Sequence, residues 1–286
     1  MKKILFNGCS FMAGDELVWA QFCLEHNRPD LEWNNPLTPD YHIFSYKYRH
    51  NYRKNYNLPA LISQILEVDK IDISYDGNSN DMISIETIGY LSKLTPVERQ
   101  QYHVCIGWTH LQRLMKYSNK YNPKSFYNLH INHIGHNSDN PVLNELDHYI
   151  MSAIAKSYNE DFFMNYSKNI MLLENYLIAN NITYTFYRSL GDSSDMKNCI
   201  LGPFANSSFP CIIDKELLSN PLNWYKFDCG EHNHLPPHLG SSWERSIISR
   251  ASSELKISEK NSHPNMKAIE NFSKILAQFI QQQNML

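Results

Sequence analysis

The chain has no long apolar segment, no excess of positive charge and no paired cysteines. No run of its 286 residues approaches the roughly 18 uncharged apolar residues of a membrane-spanning helix. Its 26 Lys and Arg stand against 29 Asp and Glu, and this balance leaves no basic field for a nucleic-acid backbone. The six cysteines include no C-x-x-C pair, which favours free thiols over a disulfide framework. These absences predict a protein that binds neither membranes nor nucleic acid.

The first residues resemble a secretory leader only briefly. Lys2 and Lys3 are followed by an apolar stretch that ends at Asn7, which is too short for the apolar region of a signal peptide. We therefore expect an intracellular, cytoplasmic protein.

What the sequence does contain is an alternation of strand-like and helical segments. The hydrophobic spacing predicts strands at Ile4–Phe6, Lys70–Tyr75, Val104–Gly107 and Ile182–Tyr187, and helices at Leu58–Val68, Asn80–Leu94, Phe162–Ala179 and Pro264–Gln282. Asn80 or Asp81 is expected to cap the second of these helices. The alternation predicts an α/β fold with a parallel sheet, in a single domain over residues 1–286. Long insertions near 26–56, 114–160 and 190–256 are typical of lids or binding loops.

Four polar motifs follow strands or precede the last helix. Asn7-Gly8-Cys9-Ser10 comes after the first strand, where Asn7-Gly8 is expected to form a turn. The segment from Asp76 to Asp81 follows the second strand, and Gly107-Trp108-Thr109 ends the third. His263-Pro264 precedes the last helix. Because ligands bind at the carboxyl ends of parallel strands, we expect all four motifs at one edge of the sheet.

The order of these motifs resembles the SGNH (GDSL-like) hydrolase family, and Asn7 to Leu17 is most similar to the start of its phage and bacterial members. The resemblance implies a three-layer sandwich with a central parallel sheet, the flavodoxin-like fold of that family. It implies that Ser10 is the nucleophile and that His263 is the general base. It also implies an oxyanion hole formed by Ser10, Asn80 and Thr109, with Gly77 three residues before Asn80.

The sequence departs from the family pattern at three positions. Cys9 stands where the family has Asp beside the nucleophile, and Thr109 stands where it has Asn. Lys260 occupies the usual position of the carboxylate that orients the histidine, and a lysine cannot accept the imidazole N–H. Glu259 is our first candidate for that acid. Asp228 or Glu231 comes second, and a backbone carbonyl in a Ser-His dyad comes third.

Two further side chains near the motifs have open interpretations. Trp108 is either part of the core or part of a substrate-binding groove. Arg113 is either a surface charge or a contact to an anionic group of the substrate.

The two histidine clusters, at 130–136 and 232–238, have ligand-like spacing. Both fall in Asn- and Pro-rich segments without cysteine pairs, so we expect solvated histidines, with no metal and no cofactor.

Two functions are consistent with the sequence. The first is a serine esterase that acts on a small-molecule or carbohydrate ester, with hydrolysis and acyl transfer using the same groups. The second, motivated by Lys260 and Thr109, is a catalytically weak or inactive member of the fold that binds a ligand or a partner.

Overall fold

The computed structural model describes most of the predicted α/β core. The described residues are 2–14, 17, 51, 53–111, 113–118, 125–129, 159–191, 221–227, 241–249, 253–258 and 261–283. Among the helices in these ranges, none combines the length and the apolar character needed to cross a bilayer.

Eight strands and seven α-helices are named here in chain order. The strands are β1 (Lys3–Gly8), β2 (Asp69–Asp72), β3 (Tyr102–Trp108), β4 (Leu114–Ser118), β5 (Ser125–Leu129), β6 (Thr183–Arg188), β7 (Lys256–Ser258) and β8 (Asn261–Pro264). The helices are α1 (Ser10–Ala13), α2 (Leu58–Leu66), α3 (Asn80–Ser92), α4 (Pro96–Arg99), α5 (Asn159–Ala179), α6 (Trp243–Ser249) and α7 (Met266–Gln282).

Four parallel strands form the central sheet in the order β2-β1-β3-β6. This confirms the predicted α/β class. The chain order reverses between β1 and β3, and such a switch point leaves a crevice outside the carboxyl ends of the two strands. Trp224 adds one parallel bridge to Phe186 at the β6 edge of the sheet.

Helices cover both faces of the sheet because successive strand residues point to opposite sides. Ile4 and Phe6 pack with α2 and α7 on one face. Leu5 packs with α3 and α5 on the other face. The inner strands β1 and β3 are buried along almost their whole length, as expected for a parallel sheet covered on both sides, whereas the edge strand β2 is polar and partly exposed.

The elements begin and end close to the predicted positions, with two corrections. Strand β1 continues through Gly8, so the predicted turn at Asn7-Gly8 is wrong. The left-handed residue lies later, at Gly14, which has φ 72° and ends α1. Helix α3 is capped by Ser79, whose hydroxyl accepts from the Met82 N–H at 3.3 Å, and not by Asn80 or Asp81.

The insertions contain more regular structure than their sequences indicate. Strands β4 and β5 form an antiparallel hairpin within the 114–160 insertion. Helix α6 lies within the 190–256 insertion. Much of the remainder of all three insertions lies outside the described residues.

Candidate active site

Ser10 is held at the carboxyl edge of the sheet by tight packing of the strand end. It is the first residue of α1, directly after β1, and its side chain is only 2% exposed. A Cβ on Gly8 would lie 2.8 Å from Cβ of Met12 and 3.0 Å from the Gly107 carbonyl oxygen. Gly8 is therefore required because the helix and the neighbouring strand approach it so closely.

His263 lies against this serine although 253 residues separate the two. The antiparallel hairpin of β7 and β8 carries the ring. Its Nε2 is 3.1 Å from Oγ of Ser10. The ring also packs on Phe11, with centroids 4.6 Å apart and planes tilted by 43°. The expected proximity of Ser10 and His263 is confirmed, whereas their catalytic roles stay predictions.

Helix α6 packs against β8, the strand that carries His263. Its Trp243 packs edge-on against Phe11 at 5.8 Å. Its Glu244 accepts from the Gly191 N–H at 3.1 Å and lies 3.7 Å from Nε2 of His110. Neither this helix nor a role for Phe11 was predicted from the sequence. Of the two, only Phe11 had a signal in the sequence, namely its position next to Ser10.

Asparagine side chains tie the ends of β1 and β3 to the loop that begins α3. The Asn80 carbonyl oxygen Oδ1 accepts from the Thr109 N–H at 3.0 Å, and Nδ2 donates to the His110 carbonyl at 2.9 Å. Asn78 donates from Nδ2 to the Gly8 carbonyl at 3.3 Å. These bonds hold the second and third motifs beside the end of β1 that precedes Ser10.

The four predicted oxyanion-hole residues lie beyond the carboxyl ends of β1, β2 and β3. Ser10 and Asn80 are the first residues of their helices, so their backbone N–H groups have no intrahelical acceptor. The Thr109 hydroxyl is fully buried and makes no well-aligned hydrogen bond. Gly77 has φ 74°, with open space where a Cβ would stand. Donation to an oxyanion stays a prediction for all four.

Cys9 is a buried thiol directly before Ser10. Burial raises its pKa, and the positive charge of Arg113 acts in the opposite direction. A raised pKa favours the neutral thiol over the reactive thiolate. The effect of Arg113 also indicates that its guanidinium lies close to this loop.

Trp108 belongs to the core. Its side chain has no exposed surface, and it packs edge-on against Phe186 at 5.4 Å and Tyr166 at 6.2 Å. The interpretation of Trp108 as a substrate contact is therefore corrected in favour of a core residue. Tyr166 belongs to α5, so this helix covers the Trp108 ring.

Several predicted residues lie outside the described part of the chain. They are the acid candidates Glu259, Asp228 and Glu231, together with Lys260 and both histidine clusters. Glu259 and Lys260 connect β7 to β8. The described residues alone contain no group of three or more His, Cys, Asp or Glu side chains that could hold a metal ion.

Comparisons with known proteins add no relative. No protein-family model matches the chain, and neither the curated proteins nor the solved structures gave a significant match.

Proposed function

We propose that the chain is a serine hydrolase of the SGNH type that cleaves ester bonds, with Ser10 as nucleophile and His263 as general base. The observation that carries the proposal is the 3.1 Å distance between Ser10 Oγ and His263 Nε2 at the carboxyl edge of a parallel sheet. A hydroxyl is a weak nucleophile until an adjacent base takes its proton, and this distance is within hydrogen-bond reach. The strand order is that of the first four strands of a flavodoxin-like sheet, which supports the proposal.

The reaction follows from the positions of these two side chains. Ser10 Oγ attacks the ester carbonyl carbon while His263 Nε2 takes the hydroxyl proton. The tetrahedral intermediate collapses, the C–O bond to the alcohol breaks, and the imidazolium protonates the leaving oxygen. Water, deprotonated by the same ring, then attacks the acyl-serine, the acyl C–Oγ bond breaks to release the acid, and the imidazolium returns its proton to Ser10 Oγ.

Backbone N–H groups of Ser10 and Asn80 and the Thr109 hydroxyl are the proposed oxyanion donors. Donors of this kind each contribute about 3–4 kcal/mol to transition-state stabilisation. Thr109 supports the proposal because its buried hydroxyl directly follows β3, lies beside the Cys9 thiol and can donate one hydrogen bond to an oxyanion.

The substrate that we propose is an acyl or O-acetyl ester of a sugar or another polar alcohol, located within the cell. The polar, aromatic insertions favour such a substrate over a long acyl chain. For the ring of His263 to accept at Nε2 it must carry its proton on Nδ1, and an acceptor has to hold that N–H. Glu259 is the first candidate for this role.

Labelling with a fluorophosphonate probe tests the nucleophile directly. We expect the probe to modify wild type at Ser10, and we expect Ser10→Ala to lose both labelling and hydrolysis of short p-nitrophenyl esters and acetylated sugars. The loss of turnover should reach several orders of magnitude. Ser273→Ala is a matched control, because this buried serine lies in α7 and bonds to the Glu270 carbonyl. It should label like wild type.

Two results would overturn the proposal. One is full activity in a folded Ser10→Ala variant. The other is a folded wild-type chain that neither labels nor hydrolyses any ester of the panel, which would favour the alternative of a ligand-binding protein on the same fold.

A further inference from the structure

Arg113 lies beside the proposed site, where its charge and that of Asp76 both act on the Cys9 thiol. Its Nη1 donates one long hydrogen bond, 3.4 Å, to the Asn78 carbonyl, and its Nε is buried without a hydrogen-bond partner. Within the described part of the chain the guanidinium makes no ion pair. A guanidinium has five N–H donors, and among the described residues Asn78 is the acceptor that it reaches.

This guanidinium lies between the motifs of the proposed site. The Arg113 backbone N–H donates to the carbonyl of His110 at 3.3 Å, and His110 directly follows Thr109. This bond holds the Arg113 backbone close to the third motif. The Arg113 side chain reaches across to Asn78. Asn78 in turn donates to the Gly8 carbonyl, two residues before Ser10. Two hydrogen bonds thus connect the guanidinium to the strand end that carries the nucleophile.

A partly buried cation without a counter-ion is unfavourable, because its lost hydration is not replaced. A carboxylate or phosphate would replace the lost hydration by accepting two parallel N–H···O bonds, a geometry that suits the planar guanidinium. We propose, on the basis of the hydrolase function above, that Arg113 binds an anionic group of the substrate. The enzyme then selects esters that carry a carboxylate or a phosphate.

A pair of matched acetate esters tests this selectivity. The probes are 4-acetoxybenzoate, which is anionic, and 4-acetoxybenzamide, which is its neutral counterpart. The quantity measured is the ratio of the two kcat/KM values, and a change in that ratio between variants is independent of the intrinsic reactivity of each ester. We expect wild type to prefer the anionic ester by about 10- to 100-fold, the range for hydrogen bonds to charged groups.

Three variants show whether Arg113 causes the preference. Arg113→Gln should abolish it, and Arg113→Lys should retain part of it. Arg99→Gln is the control, because Arg99 bonds to the Leu94 carbonyl and to Asn180, before the amino ends of β3 and β6 and so at the edge of the sheet opposite the motifs. It should keep the full preference. An acetylated hexose 6-phosphate, compared with the acetylated hexose and its uronic acid, separates phosphate from carboxylate selectivity.

The outcomes separate this inference from the proposed function. An active wild type without anion preference, or a preference that survives in Arg113→Gln, overturns the role of Arg113 and leaves the hydrolase intact. No turnover of either ester, together with no labelling of Ser10, overturns both. Protection of Ser10 from the probe by 4-hydroxybenzoate but not by 4-hydroxybenzamide supports the inference without turnover, and equal protection contradicts it.

Discussion

Acid should destabilise this protein through one buried histidine in the central sheet. His103 on β3 has no exposed surface, and its Nδ1 and Nε2 each lie 3.1 Å from a threonine hydroxyl on β6, those of Thr183 and Thr185. Burial, assisted by the positive charge of Lys2, lowers its pKa from 6.5 to about 3. Both hydroxyls can accept hydrogen bonds from an imidazolium. The cost of protonating His103 therefore comes mainly from the hydration that a buried charge lacks.

The direction and size of the effect follow from proton linkage. Below pH 6.5 the unfolded chain binds a proton at His103 that the folded chain does not bind until about pH 3. The free energy of unfolding is therefore at its full value above pH 6.5 and falls progressively between these two values. At pH 5 the loss relative to pH 7.5 is about 2 kcal/mol, since each pH unit of separation contributes about 1.4 kcal/mol.

Denaturant melts at pH 7.5 and pH 5 measure this loss. In His103→Gln the difference between the two pH values should shrink by about 2 kcal/mol relative to wild type, whatever the absolute stability of the variant. His263→Gln removes a histidine while keeping His103, and it should retain the loss seen in wild type. If His103→Gln loses as much stability on acidification as wild type does, the reasoning is refuted.

Two further predictions concern strand packing and the missing acid. Gly107→Ala would place a methyl carbon 2.7 Å from the Tyr187 hydroxyl and should lower the free energy of unfolding by about 1–3 kcal/mol in denaturant melts. Gly89→Ala, inside α3 with nothing within 4 Å, should raise it by about 0.5–1 kcal/mol. Replacing the carboxylate that orients His263 by the corresponding amide should lower turnover about a thousandfold. If His263 instead works in a Ser-His dyad, none of the three variants should show such a loss. The variants are Glu259→Gln, Asp228→Asn and Glu231→Gln.

Much of the sheet was predictable because its strands are short apolar runs between helical periods. The same alternation predicted that the first strand and the last loop meet at one edge, and the contact of Ser10 with His263 agrees with it. The contact depends on the order of the strands in the sheet. Once a parallel α/β order was assumed, the positions of the two motifs along the chain were sufficient to predict it.

What the sequence could not predict depends on contacts from distant elements. Trp108 is buried because α5 and β6 close around it, and the residues beside it in the chain do not indicate that. Gly8 was interpreted as a turn residue. In the structure a glycine is needed there because Met12 and the Gly107 carbonyl lie where a Cβ would stand. A Gly suited to a positive φ and a Gly that avoids a steric clash look the same in a sequence.

The asparagines explain how a site made of three strand ends can be held in place without buried charge. Asn7 donates to the Ile83 carbonyl and the Thr87 hydroxyl, both at 3.1 Å, and its Oδ1 accepts from the Gly8 N–H at 2.8 Å. Asn78 joins the same network by donating to that Oδ1. An amide can donate and accept at once, whereas an aspartate in its place would be a buried charge that only accepts. The amide contacts beside Ser10 therefore need no charge of their own, while Asn78 also connects them to the Arg113 guanidinium and the Glu86 carboxyl. In the proposed mechanism this leaves proton transfer to His263 and charge recognition to Arg113.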